Sequence, residues 1–275
     1  MKLENKIKKE NTSLYLEIPA KLGIIKEIKY EIKEKELTEK ETQNNIIEFM
    51  NKIYLENEEL KNKINELKSE NEKMAVKLQE TEKKLQQNSI KQIERIKNLF
   101  KDSTIIKEDE KKMINDWLDP YNEKKITSEI LFRTNIDGDS ASNFHNKCNG
   151  KGPTITFIKT SVGKRIGGFA SISWASTGGY RADPNAFIFS LDTCQKFVQY
   201  RNPNYAINDS SGYGPTFGGG HDIYISSGCK SNSSSYCNCN HTYSFFNSYN
   251  MVNSGTQNTS FQVADYEVYL IKFNE

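Results

Sequence analysis

From residue 46 to residue 85 apolar side chains recur at alternating steps of three and four. Ile46, Ile53, Leu60, Leu67 and Met74 form one series, and Met50, Ile64, Leu78 and Leu85 the other. A seven-residue repeat keeps one seam of a helix turned towards a partner helix, so the pattern predicts a coiled coil with the second series at a and the first at d. Asn57 and Asn71 fall at a, where a polar side chain costs stability but fixes register and favours two parallel strands. The expected dimerisation residues are Ile53, Asn57, Leu60, Ile64, Leu67, Asn71, Met74 and Leu78. These forty positions lack glycine and proline and carry Glu and Lys on their outward faces, as a solvated helix about 60 Å long requires. One amphipathic helix folded back on its own globular domain is the competing reading. Beyond Leu85, residues Ile93, Ile96 and Phe100 continue the stripe in a shifted frame, a stutter or a new helix. Upstream, the stretch SLYLEIPAKLGIIKEI holds Pro19 and Gly23 and is either a pairing segment or a docking peptide.

Further along, the period shortens from seven to two. Short runs rich in aromatic and β-branched residues, bounded by Gly, Asn or Pro, predict strands at TITFIK (154–159), GGFASISW (167–174), NAFIFSL (185–191), HDIYI (221–225) and YEVYLIKF (266–273). With few intervening helices this punctuation indicates antiparallel sheets packed on each other. Two helices are expected. KEDEKKMINDWLDP (107–120) puts Met113, Ile114, Trp117 and Leu118 on one face with acids in the first turn, and Trp117 reads as a core anchor; DSASNFHNKCNG (139–150) has a cap at Asp139 or Ser140, Phe144 and Cys148 four apart, and Gly150 as a stop. The fold class is therefore α+β, divided into a segment of unassigned role at 1–40, a coiled coil at 41–100, a linker and first helix at 101–127 and a globular domain at 128–275.

Charge sharpens this division. Residues 1–130 carry 27 of the 38 basic and 27 of the 36 acidic side chains but only one of 16 glycines. Neither half has the basic excess that polyanion binding needs. The N-terminus has no apolar core of a leader and no run of about 18 apolar residues occurs, so a cytoplasmic protein without membrane insertion is expected. Five cysteines without a secretory signal favour reduced thiols.

Three stretches carry candidate chemistry. FGGGHDIYI (217–225) lacks the Lys-Ser/Thr of a phosphate loop and leads into a strand instead of a helix, and no G-x-S-x-G nucleophile elbow exists in the chain. It reads as a bend in which Gly218, Gly219 and Gly220 allow close backbone approach and His221 or Asp222 bonds to backbone. In GCKSNSSSYCNCNHT, Cys229, Cys237, Cys239 and His241 are the right donors for zinc at an unfamiliar spacing, so the expectation is a polar surface loop with ordinary thiols, and neither metal nor cofactor is assigned. Asp265 and Glu267 near the last strand are the other notable acids, and Glu267 is expected either to face a partner or to pair inward with Arg133, Arg165 or Arg181. The contact surface for a protein partner is placed on Gly218, Gly219, Gly220, His221, Asp222, Asp265 and Glu267.

The run FRTNIDGDSASNFHNKCNGKGPTITFIKT, followed by GGF, Trp174, AFIFSL, GPTFGGGHDIYI and a terminal YEVYL, resembles the TLDc family in order and spacing. It departs at Ile166-Gly167-Gly168, where the family commonly has Phe-Gly-Gly. The resemblance, over 128–275, implies a β-sandwich of two antiparallel sheets flanked by short helices, with no established catalytic activity. It also implies a role in oxidative stress resistance and binding to the vacuolar-type proton-pumping ATPase. The expected function is thus a non-enzymatic interaction protein, dimerised by its coiled coil. Two alternatives are a hydrolase using His221 and Asp222, and a dimeric nucleic-acid-associated regulator; acids interrupting KEIKYEIKEKE (26–36) speak against the latter.

Overall fold

A computed structural model describes residues 39–119, 124–238, 240–244, 251–252 and 259–274. The chain divides into two compact units at Glu82/Lys83. Helix α1, Glu39–Asn98, supplies every described residue of the first unit and ends in the second with Arg95 and Lys97 in its last turn. It is straight-chain and Glu/Lys-rich, so propensity favours it throughout. The helix runs unbroken across the shift of frame beyond Leu85, so no second helix begins there. Of the expected segment 1–40, residues 1–38 lie outside the described residues.

The second unit is built from two six-stranded antiparallel sheets. The first contains β1 (Lys125–Arg133), β2 (Thr154–Thr160), β3 (Arg165–Ala170), β5 (Phe187–Ser190), β6 (Gln195–Val198) and β12 (Val263–Asn274), in the order β1-β12-β2-β3-β5-β6. The second contains β4 (Tyr180–Arg181), β7 (Ile207–Asn208), β8 (Thr216–Phe217), β9 (Ile223–Tyr224), β10 (Ser235–Tyr236) and β11 (Ser260–Phe261), in the order β11-β10-β9-β8-β7-β4. Short α-helices accompany them, among them α2 (Glu110–Leu118), α3 (Thr134–Asp137) and α4 (Ala141–Cys148). Together they form the α+β arrangement expected from the residues.

The alternation of each central strand decides which core a side chain joins. In β2, Ile158 points into a core shared with the second sheet, while Ile155 and Phe157 point to the opposite face. The shared core gathers Ile166, Ile188 and Val268 from the first sheet, Phe217, Ile223 and Ile225 from the second, and Phe144 and Cys148 from α4. The opposite face of the first sheet is covered by Leu99, Phe100, Ile105, Ile106 and Ile114. Phe100 meets Phe157 and Tyr269 edge-on at 5.0 and 5.2 Å, and Trp117 lies 5.7 Å from Phe189 as a core anchor. The globular core thus begins at Leu99, upstream of the expected boundary at 128.

Local chemistry fixes several elements. Ser140 caps α4 by accepting the Asn143 amide at 3.2 Å. Gly168 on β3 faces Phe217 across the sheets: a Cβ there would lie 2.6–2.7 Å from three atoms of the Phe217 ring. That close approach explains the glycine pair of the GGF stretch, because the sandwich closes by placing a ring where a side chain would otherwise stand.

Candidate functional site

The FGGGHDIYI stretch resolves into a strand end, a bend and a short strand. Phe217 ends β8 and is fully buried. Gly218 and Gly220 follow with φ of +82° and +67°, values that side chains rarely adopt. His221 itself is left-handed at φ +61°. The turn is closed by His221 N–H donating to the Gly218 carbonyl at 3.1 Å.

The neighbouring His221 and Asp222 do separate work. The Asp222 carboxylate is fully buried and accepts backbone amides of His241, Thr242 and Tyr243 at 2.9, 2.7 and 2.9 Å. Burial raises its pKa above the ordinary carboxylate value, against the pull of these three donors. The imidazole turns to the other side of the bend. Its Nδ1 lies 2.6 Å from the Tyr236 hydroxyl and its Nε2 3.5 Å from Asn208 Nδ2. Burial lowers its pKa below the ordinary histidine value of 6.5, so the ring is neutral at pH 7.

Around His221 stands an aromatic cluster that the sequence did not single out. The imidazole stacks on Tyr224 at 5.3 Å, meets Tyr213 edge-on at 5.4 Å and lies 6.0 Å from both Tyr180 and Tyr236. The sheet register explains the grouping. Tyr180 pairs with Asn208, Asn208 with Thr216, Thr216 with Tyr224 and Tyr224 with Tyr236, making one cross-strand row over five strands. Residues opposite one another share a face, and this row lies on the face away from Phe217 and Ile223. Four of the rings, Tyr180, Tyr213, Tyr224 and Tyr236, are partly or wholly exposed, as is Tyr205, which meets Tyr180 edge-on at 4.9 Å. The signal was present in HDIYI, whose period of two puts Tyr224 opposite Ile223 and Ile225; Tyr236 stood in a stretch read as loop.

The acids of the last strand are internal clasps: the inward pairing with Arg133 holds for Glu267, and neither acid lies on a contact surface. Glu267 is fully buried, pairs with Arg133 at 3.0 Å, and accepts from the Ser103 hydroxyl at 2.6 Å and the Thr104 amide at 2.9 Å. Asp265, also buried, accepts from Thr134 Oγ1 and, at 2.5 Å, from Asn135 Nδ2. The other two candidate arginines find different acids: Arg165 pairs with Glu110 and Asp192 at 2.8 and 2.9 Å, and Arg181 with Asp209 at 3.1 Å. With Asp222 likewise buried, three of the seven expected contact residues are turned inward. Gly218 and Gly219 are buried too, leaving Gly220 and the half-buried His221 at the surface.

The late cysteines require a second correction. Cys229 and Cys237 belong to the shared core and are fully buried, not thiols of a surface loop. Cys237 Sγ donates to the Asp222 carbonyl at 3.0 Å. Burial pushes the Cys229 thiol up to about 12 and raises the Cys148 thiol as well. His241 is exposed, and Cys239 lies outside the described residues. Among the described residues no three His, Cys, Asp or Glu are grouped to hold a metal ion.

Residues 99–272, running from the helix-end core residues to the last strand, match the TLDc domain. The chain belongs to the TLDc family. The match starts where the hydrophobic core starts, at Leu99, in accord with the packing of 99–118 on the first sheet. Over 62 residues this TLDc protein is also 34% identical to the MTOR-associated protein MEAK7 of Danio rerio, a stretch that covers 22% of this chain and 14% of that protein. Among the described residues no helix is long and apolar enough to cross a membrane.

Proposed function

We propose that this TLDc protein is a non-enzymatic regulator that binds another protein through its globular domain and is dimerised by a coiled coil in α1. The proton-pumping ATPase is its partner, oxidative stress resistance its setting, and the cytoplasm its compartment. The observation that carries this reading is the division of labour at the FGGGHD bend. Acids that could have driven chemistry hold backbone amides, while the imidazole organises a row of tyrosines at the surface. Tyrosine supplies large contact area at low entropic cost together with a hydroxyl for hydrogen bonding, which is why it is enriched at recognition surfaces. The relative's name, with its association with another protein, points in the same direction.

The test is capture of partners by the full chain, followed by ATP-driven proton pumping with and without it. Recovery of pump subunits and a change in pumping that is lost in Tyr224→Ala and Tyr180→Ala is expected. Absence of pump subunits together with unchanged pumping removes the role.

A further inference from the structure

We propose that the surface of α1 takes a second copy of this chain in one arrangement only, parallel and in register, with Phe49 and Tyr54 forming an aromatic clasp at its N-terminal end. The inference deepens the dimerisation reading above and rests on it. In the single helix the seam is open to solvent: Met50 is 64% exposed and Ile64 43%. Tyr54, beside the seam, is 65% exposed.

Charge alone leaves two arrangements standing. With a at Asn57 and d at Leu60, the flanking e positions hold Tyr54, Lys61, Lys68, Ala75 and Glu82, and the g positions hold Phe49, Glu56, Lys63, Glu70 and Lys77. A parallel in-register pair sets g against the e residue five places on in the partner. Glu56 then meets Lys61, Lys77 meets Glu82 and Phe49 meets Tyr54, against one repulsion of Lys63 with Lys68. In an antiparallel pair centred on Ile64 and Leu67, Glu56 meets Lys77 and Lys63 meets Glu70, against repulsion of Lys61 with Lys68. The two totals are similar.

The asparagines separate them. In any antiparallel register an a residue faces a d residue of the partner, and the d series Ile46, Ile53, Leu60, Leu67, Met74 and Thr81 holds no asparagine. In the register centred on Ile64 and Leu67, Asn57 faces Met74 and Asn71 faces Leu60, and no antiparallel register sets either amide against another amide across the axis. A parallel pair shifted by two heptads matches one asparagine of each chain and strands the other. Only the in-register parallel pair sets Asn57 on Asn57 and Asn71 on Asn71.

Lys61 tests this directly, because the arrangements predict opposite signs. In the single helix it bonds Glu58 at 2.6 Å with 67% of its side chain exposed. Lys61→Glu puts two like-charge pairs with Glu56 into the parallel dimer and is expected to raise its dissociation constant about tenfold; Glu56→Lys/Lys61→Glu restores it. In the antiparallel dimer Lys61→Glu meets Lys68 and tightens association. The readouts are sedimentation equilibrium of the full chain at low salt, helicity by circular dichroism as the folding control, and disulfide trapping. Asn57→Cys should form a cross-linked dimer, and Glu58→Cys, on the outer face, should not. A monomer at micromolar concentration, tighter association of Lys61→Glu, or trapping of Asn57→Cys only with Met74→Cys overturns the proposal. No partner protein is present in these measurements, so their failure is distinct from failure of the partner capture.

Discussion

Replacing Gly168 by alanine tests whether the two sheets are held at their separation by a ring filling a glycine's place. The new Cβ would stand 2.6–2.7 Å from three atoms of the Phe217 ring, which also meets Trp174 edge-on at 5.8 Å. Ordinary carbon contacts begin near ~3.5 Å, so the ring must retreat by roughly 0.8 Å into a packed core. Overpacking of this kind costs about 1–3 kcal/mol. For a unit of this size each kcal/mol lowers the melting temperature by roughly 2–4 °C, so a fall of about 2–12 °C is expected.

Gly167 supplies the contrast. Its Cβ would fall against the Thr156 carbonyl oxygen and the Phe189 ring. A carbonyl in the ladder between β2 and β3 cannot turn aside as a ring can, so Gly167→Ala should cost more than Gly168→Ala. Denaturant titration of both glycine variants, alone and combined with Phe217→Leu, gives two double-mutant cycles. Because the clash with Phe217 is the cause at Gly168, the pair Gly168→Ala/Phe217→Leu should be at least about 1 kcal/mol more stable than the sum of its singles. The pair at Gly167 should be nearly additive. Additivity in both cycles would refute the reasoning.

Removing the charge of Glu267 by Glu267→Gln takes from Arg133, whose side chain is 14% exposed, its carboxylate partner and should cost about 3 kcal/mol, read by thermal unfolding; Arg133→Met in the same chain should recover part of it. Thiol labelling in a Cys239→Ser background should modify exposed Cys194 rapidly, and buried Cys148 and Cys229 only after denaturation, since burial raises both of their pKa values. His221 contributes a pH dependence of known sign. Its folded pKa lies below the unfolded value of 6.5, so protonation is harder in the folded state: its contribution is complete above 6.5 and is lost as pH falls through the folded value. His221→Asn, whose side chain tolerates the left-handed backbone, should therefore lose less stability than the parent chain between pH 7.5 and 5.

Periodicity made the large elements legible, because a seven-residue repeat and a two-residue alternation each survive in the residue order alone. TITFIK became β2, and the helix expected at 139–150 became α4 with Ser140 at its cap. KITSEILFR gave no such signal. It forms β1, yet its exposed Thr127, Glu129 and Ile130 blur the alternation, as an edge strand permits. The aromatic row was illegible for a different reason: Tyr180, Tyr224 and Tyr236 are separated in the chain and are joined only by register. For Glu267 the residue order left a contact and an inward pair both open, and the pair with Arg133 is the one that forms; β12 is covered on both faces, so a polar residue between Tyr266 and Val268 carries no information about exposure.

The buried acids make one physical pattern. Asp183 accepts the amides of Ser171 and Ile172 at 2.6 and 3.3 Å, Asp209 those of Ala175 and Ser176 at 3.0 Å, and Asp222 those of residues 241–243. Glu267 takes that of Thr104. In each case a carboxylate in a low-dielectric site fixes a loop that has no ladder of its own, and a charged acceptor does this more strongly than a neutral one. Such a carboxylate has little acceptor capacity left for a substrate or a metal ion, and its value lies in the rigidity it gives to the loops it holds. Asp222 fixes residues 241–243, which in turn lean on the bend carrying His221, since the Gly219 amide donates to Thr242 Oγ1 at 2.9 Å. Asp222→Ala should therefore reach the tyrosine row indirectly, loosening the bend that orients the imidazole. Asp222→Asn, which keeps an acceptor but brings two donors against backbone amides, should loosen it nearly as much. Amide hydrogen exchange at residues 218–224 measures the effect; faster exchange there, with β2 and β3 unchanged, is the expected result, and unaltered protection in both variants would show that the bend is held by its glycines alone.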